Sequence, residues 1–134
     1  MAKLVKSIYT STTVTALGEL TPTDTVDGGV AATITTLTDG ATITPDFSAS
    51  NNFTVTLGGN RTLANPTNLV AGQSGSIFIV QDATGSRTLA YGTYFKFAGG
   101  TTPVLTTTAN AVDRIDYIVR SSTNIHAVFT GNYS

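Results

Sequence analysis

Cysteine and tryptophan are missing from the 134 residues, methionine occurs once, and the chain carries a single histidine, His126, and a single glutamate, Glu19. Without thiols there is no disulfide framework, no thiolate nucleophile and no cysteine-based zinc site, while the redox character of the compartment stays open. Charge is also scarce. Seven basic and eight acidic residues give a net charge of −1, and charged residues make up only 11% of the chain, against roughly 25% in an ordinary globular protein. No stretch gathers more than two or three like charges, which argues against nucleic acid as a partner, because phosphate binding needs clustered Lys and Arg. Long apolar runs are absent as well: Lys3 and Lys6 are followed by Ser and Thr before any hydrophobic core of leader length develops. Neither a secretory signal nor a membrane span is expected. Helical periodicity is the last absence, with only Asn65–Val70 and Thr107–Val112 offering room for a helical turn.

What the chain has instead is threonine, 27 of them, together with Val and Ile that favour extended backbone. A surface wetted by hydroxyls can pack against copies of itself without stranding ions, which suits an assembly component better than a diffusing enzyme. Alternation places strands at Thr12–Leu17, Gly29–Thr36, Ala41–Pro45, Asn52–Leu57, Arg61–Ala64, Gly75–Gln81, Arg87–Ala90, Tyr94–Phe97, Arg114–Arg120 and Ile125–Thr130. Between them lie turn sequences such as Asp39-Gly40, Gly58-Gly59-Asn60, Thr84-Gly85-Ser86 and Ser121-Ser122-Thr123-Asn124. Many short strands at this spacing predict an all-β, antiparallel, jelly-roll-like β-sandwich over residues 29–134, preceded at 1–28 by an N-terminal arm or edge strand. A domain of this size buries roughly two-thirds of its unfolded surface and needs no staple.

One hexapeptide is written nearly twice: Gly59-Asn60-Arg61-Thr62-Leu63-Ala64 returns as Gly85-Ser86-Arg87-Thr88-Leu89-Ala90, 26 positions later. Each copy reads as the second arm of a β-hairpin, with glycine supplying a positive φ at the turn. A pair of ligand-binding arginines is the alternative.

The run Ile77-Phe78-Ile79-Val80 is apolar on both faces of one strand, and Tyr117-Ile118-Val119 repeats the pattern. An antiparallel sheet normally keeps one face wet, so the second face requires a cover, and no helix is long enough to supply it. Burying two large side chains is worth about 3–6 kcal/mol. The cover left is the chain's own N-terminal arm or a neighbouring subunit, and the reading drawn is a homo-oligomer, with a trimer favoured, formed through these seven residues.

Catalytic chemistry is not forthcoming. His126 alternates with Ile125, Ala127 and Phe129 onto the opposite face, beside Val128 and Thr130, and no serine sits in a nucleophile elbow. Asp113 and Asp116 stand beside Arg114 and Arg120, which suggests ion pairing across a hairpin, and the remaining aspartates fall in turns where Asp caps backbone amides. Glycoside cleavage generally needs a carboxylate pair, and no such pair is apparent. No enzyme, no metal and no cofactor is expected. A binding role has more support: Tyr91, Tyr94 and Lys96, within Tyr91-Gly92-Thr93-Tyr94-Phe95-Lys96-Phe97, could contact a glycan, with Phe95 and Phe97 in the core.

From about Pro45 to Ile118 the chain resembles a module of tailed-bacteriophage virion proteins, often found near the C-terminal end of tail-fibre-like chains. The ordered series Asn60-Arg61-Thr62-Leu63, Gly72-Gln73-Ser74-Gly75, Ser86-Arg87-Thr88-Leu89-Ala90-Tyr91-Gly92, Gly99-Gly100 and Thr108-Ala109-Asn110-Ala111-Val112-Asp113 carries the resemblance. It implies a virion protein on the exterior of the capsid or on the tail, and it implies no catalytic residue. The expectation drawn is a non-enzymatic head decoration (cement) protein that contacts the major capsid protein or other virion proteins, favoured by the lack of a long stalk ahead of the module. The alternative is a receptor-binding tip of a tail fibre that recognises host surface glycans.

Overall fold

The computed structural model describes residues 31–133. The chain divides into two units, Met1–Ala31 and Ala32–Ser134, and only the second is considered below. The arm at 1–28 and the strand at Thr12–Leu17 lie outside the described residues. Nine strands follow in order: β1 (Ile34–Thr36), β2 (Thr42–Ile43), β3 (Asn52–Leu57), β4 (Arg61–Leu63), β5 (Ser74–Gln81), β6 (Leu89–Tyr91), β7 (Phe95–Phe97), β8 (Val112–Ser121) and β9 (Asn124–Tyr133). A 3-10 turn at Ala98–Gly100 is the one helical element among them. Asn65–Val70 and Thr107–Val112 carry no helix.

The strands are where alternation puts them, but their pairing is not that of a jelly roll. Odd-numbered strands enter a six-stranded sheet of order β1-β3-β5-β8-β9-β7, and β2, β4 and β6 form a three-stranded sheet. Up to β7 the chain therefore crosses from one sheet to the other at every corner, and each of β1 to β4 pairs in parallel with the strand two further along. Parallel neighbours need a crossover to bring the chain back, a job given to a helix in α/β folds. Here a short strand of the opposite sheet does it, so the expected antiparallel sandwich is corrected to a parallel winding. Only β5–β8 and β8–β9 are antiparallel, and the single hairpin is β8–β9. That hairpin is inserted between β5 and β7, both of which run parallel to β9.

Inward-facing side chains of both sheets form the core, with Phe53, Val55, Leu57, Ile77, Ile79, Ile115, Val119 and Ile125 of the large sheet meeting Ile43 and Leu63 of the small one. Phe47 lies stacked between Phe53, at 5.6 Å, and Tyr117, at 4.6 Å. Two polar side chains are sealed in with them, and both are satisfied. Gln81 accepts the Arg87 amide at 2.8 Å and donates to the Arg87 carbonyl at 2.9 Å, imitating a strand neighbour. Asp113 accepts amides from Thr106 and Asn132, each at 2.8 Å, where the β8–β9 register shifts.

The duplicated hexapeptide belongs to these corners. Neither Gly58-Gly59-Asn60 nor Thr84-Gly85-Ser86 closes a hairpin, because the strands on either side belong to different sheets. Partners lie 24 residues apart in the large sheet, Asn52 opposite Ser76, and 28 apart in the small one, Arg61 opposite Leu89. A 26-residue repeat divides that difference, so the two arginines are not in register. Each instead engages an aspartate: Arg61 forks onto Asp39 at 2.8 and 2.7 Å, joining the β3–β4 corner to the β1–β2 corner, and Arg87 reaches Asp82 at 3.0 and 2.8 Å. The Arg61 guanidinium lies across Gly59, where an added Cβ would come within 2.5 Å of Nη1. Close approach rather than positive φ explains this glycine, whereas Gly85 does take φ 72°.

Three corner carboxylates are held below the usual range, Asp39 by its hydrogen bond from Arg61, Asp82 by that from Arg87, and Asp46 by that from the Asn68 side chain. A folded pKa below the unfolded value contributes stability above about pH 4 that is lost as pH falls through the lowered folded values. The melting temperature is expected to hold between pH 7 and 5 and to drop below pH 4. The double variant Asp39→Asn/Asp82→Asn should show a shallower drop in calorimetry, and an identical pH profile for the two proteins would remove these corners from the account.

Candidate functional site

The outer face of the six-stranded sheet carries the side chains that alternation turns away from the core. On β3 these are Asn52, Thr54 and Thr56, in keeping with a hydroxyl-wetted surface. Toward β7 the character changes. Parallel pairing of β7 with β9 sets Lys96 opposite His126, and antiparallel pairing of β8 with β9 sets Ile118 opposite His126 and Asp116 opposite Val128. Registered neighbours share a face, so these residues form one patch. Ile118 is 50% exposed and Val128 64%. They floor an open groove of about 450 Å³, with Lys96, His126 and Asp116 around them.

Electrostatics set the groove apart. Asp116 accepts the Ser76 hydroxyl at 2.6 Å and an Arg114 guanidinium at 3.0 and 2.8 Å, so its charge is compensated within the sheet. Arg114 also lies over the Tyr133 ring, 5.1 Å from its centroid. The ion pair thus runs along one strand, Arg114 to Asp116, instead of across the hairpin, and Asp113 faces the core. Lys96 Nζ donates to the Thr93 carbonyl at 2.7 Å and enters no ion pair among the described residues.

The residues expected at an interface divide by face. Ile77, Ile79, Tyr117 and Val119 point inward and are at most 4% exposed, filled by this chain's own second sheet. Phe78, Val80 and Ile118 point outward. Phe78 and Val80 are half-buried, flanked across the strands by Thr54 and Arg114 and by Thr56 and Val112, and the Arg114 stem can cover part of the ring beside it. Burial pushes the Tyr117 hydroxyl up to about 12, and it donates to the Asn51 carbonyl at 2.7 Å.

The residues expected at a glycan contact also separate. Lys96 is at the groove. Tyr94 packs partly against the core, its amide donating to Asn65 Oδ1 at 2.8 Å. Tyr91 is a packing residue: its ring meets Phe97 edge-on at 5.0 Å, and its hydroxyl is buried without a hydrogen-bond partner among the described residues. Burial, then the nearby Asp113 charge, raises that hydroxyl's pKa. Phe95 is in the core as expected and Phe97 packs against it. Sequence reasoning put His126 on the correct face but did not join it to Lys96, because nothing in a two-residue period says that β7 lies beside β9.

Among the described residues no cluster of His, Asp or Glu could hold a metal ion, and no helix among them is long and apolar enough to cross a membrane. The architecture and its groove define an all-β surface module. Residues 43–123 match the family described as "Putative phage tail fibre C-terminal domain". That match spans more than half of the 134 residues, from β2 into the β8–β9 turn, and the chain belongs to this family. No curated protein and no solved structure matches it. It is a structural protein of a phage virion, tail-fibre-like, and the family favours the tail-fibre alternative over the head-decoration reading preferred from the sequence.

Proposed function

We propose that this domain is the receptor-binding tip module of a tail fibre, that it is not an enzyme, and that it holds a host surface glycan in the groove floored by Ile118 and Val128. The observation behind this is the groove itself, lying on a fold whose family is described by the fibre C-terminus. A sugar ring offers an apolar face and a rim of hydroxyls; exposed Ile and Val meet the first, and Lys96 and His126 supply hydrogen-bond donors or acceptors to the second. A shallow open site of this kind binds weakly alone, and multiplicity compensates for that. The homotrimer expected from the sequence fits this need, with Phe78 and Val80 as its apolar contacts, leaving the other end of the sheet free.

Host envelope polysaccharide on a glycan array should bind the purified protein, and Ile118→Asp should remove that binding at an unchanged melting temperature, since the residue is half exposed. Absence of binding to any host glycan, with tight binding to phage heads in its place, would return the protein to the decoration role. Sedimentation of the same sample as a monomer at high concentration would strike the trimer from the reading.

A further inference from the structure

We infer that the groove selects an acidic glycan, one whose sugar carries a carboxylate, with Lys96 as the anchoring cation; this rests on the receptor-binding reading and narrows its ligand. The inference comes from where charge is left over. Every carboxylate among the described residues is engaged: Asp39 with Arg61, Asp82 with Arg87, Asp116 with Arg114, Asp46 with Ser48 and Asn68, and Asp113 with two backbone amides. Three of the arginines are taken up in those pairs. The cations that remain outside any ion pair among the described residues are Lys96 and Arg120, and both project from the outer face on the strands that carry the groove, β7 and β8. His126 stands on β9, directly opposite Lys96 and opposite Ile118.

A protein with a net charge of −1 thus leaves one ammonium, that of Lys96, outside any ion pair at the wall of an apolar groove, with Arg120 further along β8 and not in its lining, and charge complementarity calls for an anionic occupant. Lys96 uses one of its three donors on the Thr93 carbonyl, which fixes the ammonium and leaves two donors for a ligand. The hydroxyls of a neutral sugar can accept from that ammonium but leave its charge uncompensated. Phosphate is the poorer fit, because it brings up to two charges and is best met by an Arg fork or a nest of backbone amides; the groove has a single ammonium and an imidazole over an aliphatic floor. A monoanionic carboxylate on a pyranose, with the C–H face of the ring on Ile118 and Val128, matches both halves of the site.

Titration calorimetry of the full chain with a hexuronate oligosaccharide, its carboxyl-reduced derivative, a neutral oligosaccharide and a phosphate-substituted one tests the claim. The hexuronate is expected to bind about tenfold or more tightly than its reduced form, Lys96→Ala to lose about as much, and Lys96→Arg to retain most of the affinity. Equal binding of the acidic and reduced forms, or indifference to Lys96→Ala, overturns the acidic preference and leaves the receptor reading in place. Preference for the phosphate-substituted glycan overturns the carboxylate. Failure of all four ligands, on protein whose melting curve is normal, sinks the carboxylate proposal, and failure on the host-glycan array as well takes the receptor reading with it.

Discussion

Gly75→Ala is expected to lower the melting temperature by about 15 °C or more, or to prevent folding outright. Gly75 lies on β5 at the point where the chain end of β3 begins, and a Cβ there would sit 1.7 Å from the Asn51 carbonyl oxygen and 2.6 Å from its carbon. Both offending atoms are main chain. They cannot swing aside as a side chain would, and the same carbonyl accepts the Tyr117 hydroxyl, which would itself be 3.0 Å from the new methyl. Relief requires parting β3 from β5, whose register runs unbroken from Asn52–Ser76 to Leu57–Gln81. Backbone clashes of this type cost about 3 kcal/mol or more, and each kcal/mol moves the transition of a domain this size by about 4–8 °C. A thermal melt within about 5 °C of the parent would show that the approach is looser than described.

The second large effect is at the centre of the core. Phe53→Ala should cost about 3–5 kcal/mol in urea unfolding, with the denaturant dependence unchanged. Phe53 is fully buried, and it is one of the two rings that hold Phe47 in its stack. Truncation removes both its own burial and the surface against which Phe47 rests, so the cavity cannot collapse by moving one side chain. A loss below about 1 kcal/mol would mean that the space is refilled and that the three-ring stack does not bind the sheets.

Strand positions were legible in the sequence because a two-residue period reports which residues face the core, and that is a local property. Phe53, Val55 and Leu57 alternate with Asn52, Thr54 and Thr56 whichever strand lies beside them. Partner choice leaves no such trace. Gly58-Gly59-Asn60 has the composition of a hairpin turn, but here it turns the chain from one sheet into the other, with its glycines making room for the Asp39–Arg61 pair. The apolar run at Ile77–Val80 was legible as a strand with two demanding faces, yet the sequence could not say that the chain's own small sheet meets Ile77 and Ile79 while the outward pair is flanked by neighbours on its own sheet. Of the groove, Lys96 was singled out and His126 was assigned its face; their meeting depends on the insertion of the β8–β9 hairpin beside β7, a long-range event without a local signature.

The insertion also orders events in time. As the nascent polypeptide leaves the ribosome, β1 to β6 can wind up circuit by circuit, each new strand finding a neighbour already made. β7 cannot: its partner is β9, and β9 is held by β8. Completion of the large sheet must therefore await Val112–Tyr133, and until those residues are made the edge of β5 that pairs with β8 stays open. A chain stopped anywhere within β8 would leave that margin of β5 unpaired, a ready template for association with another copy.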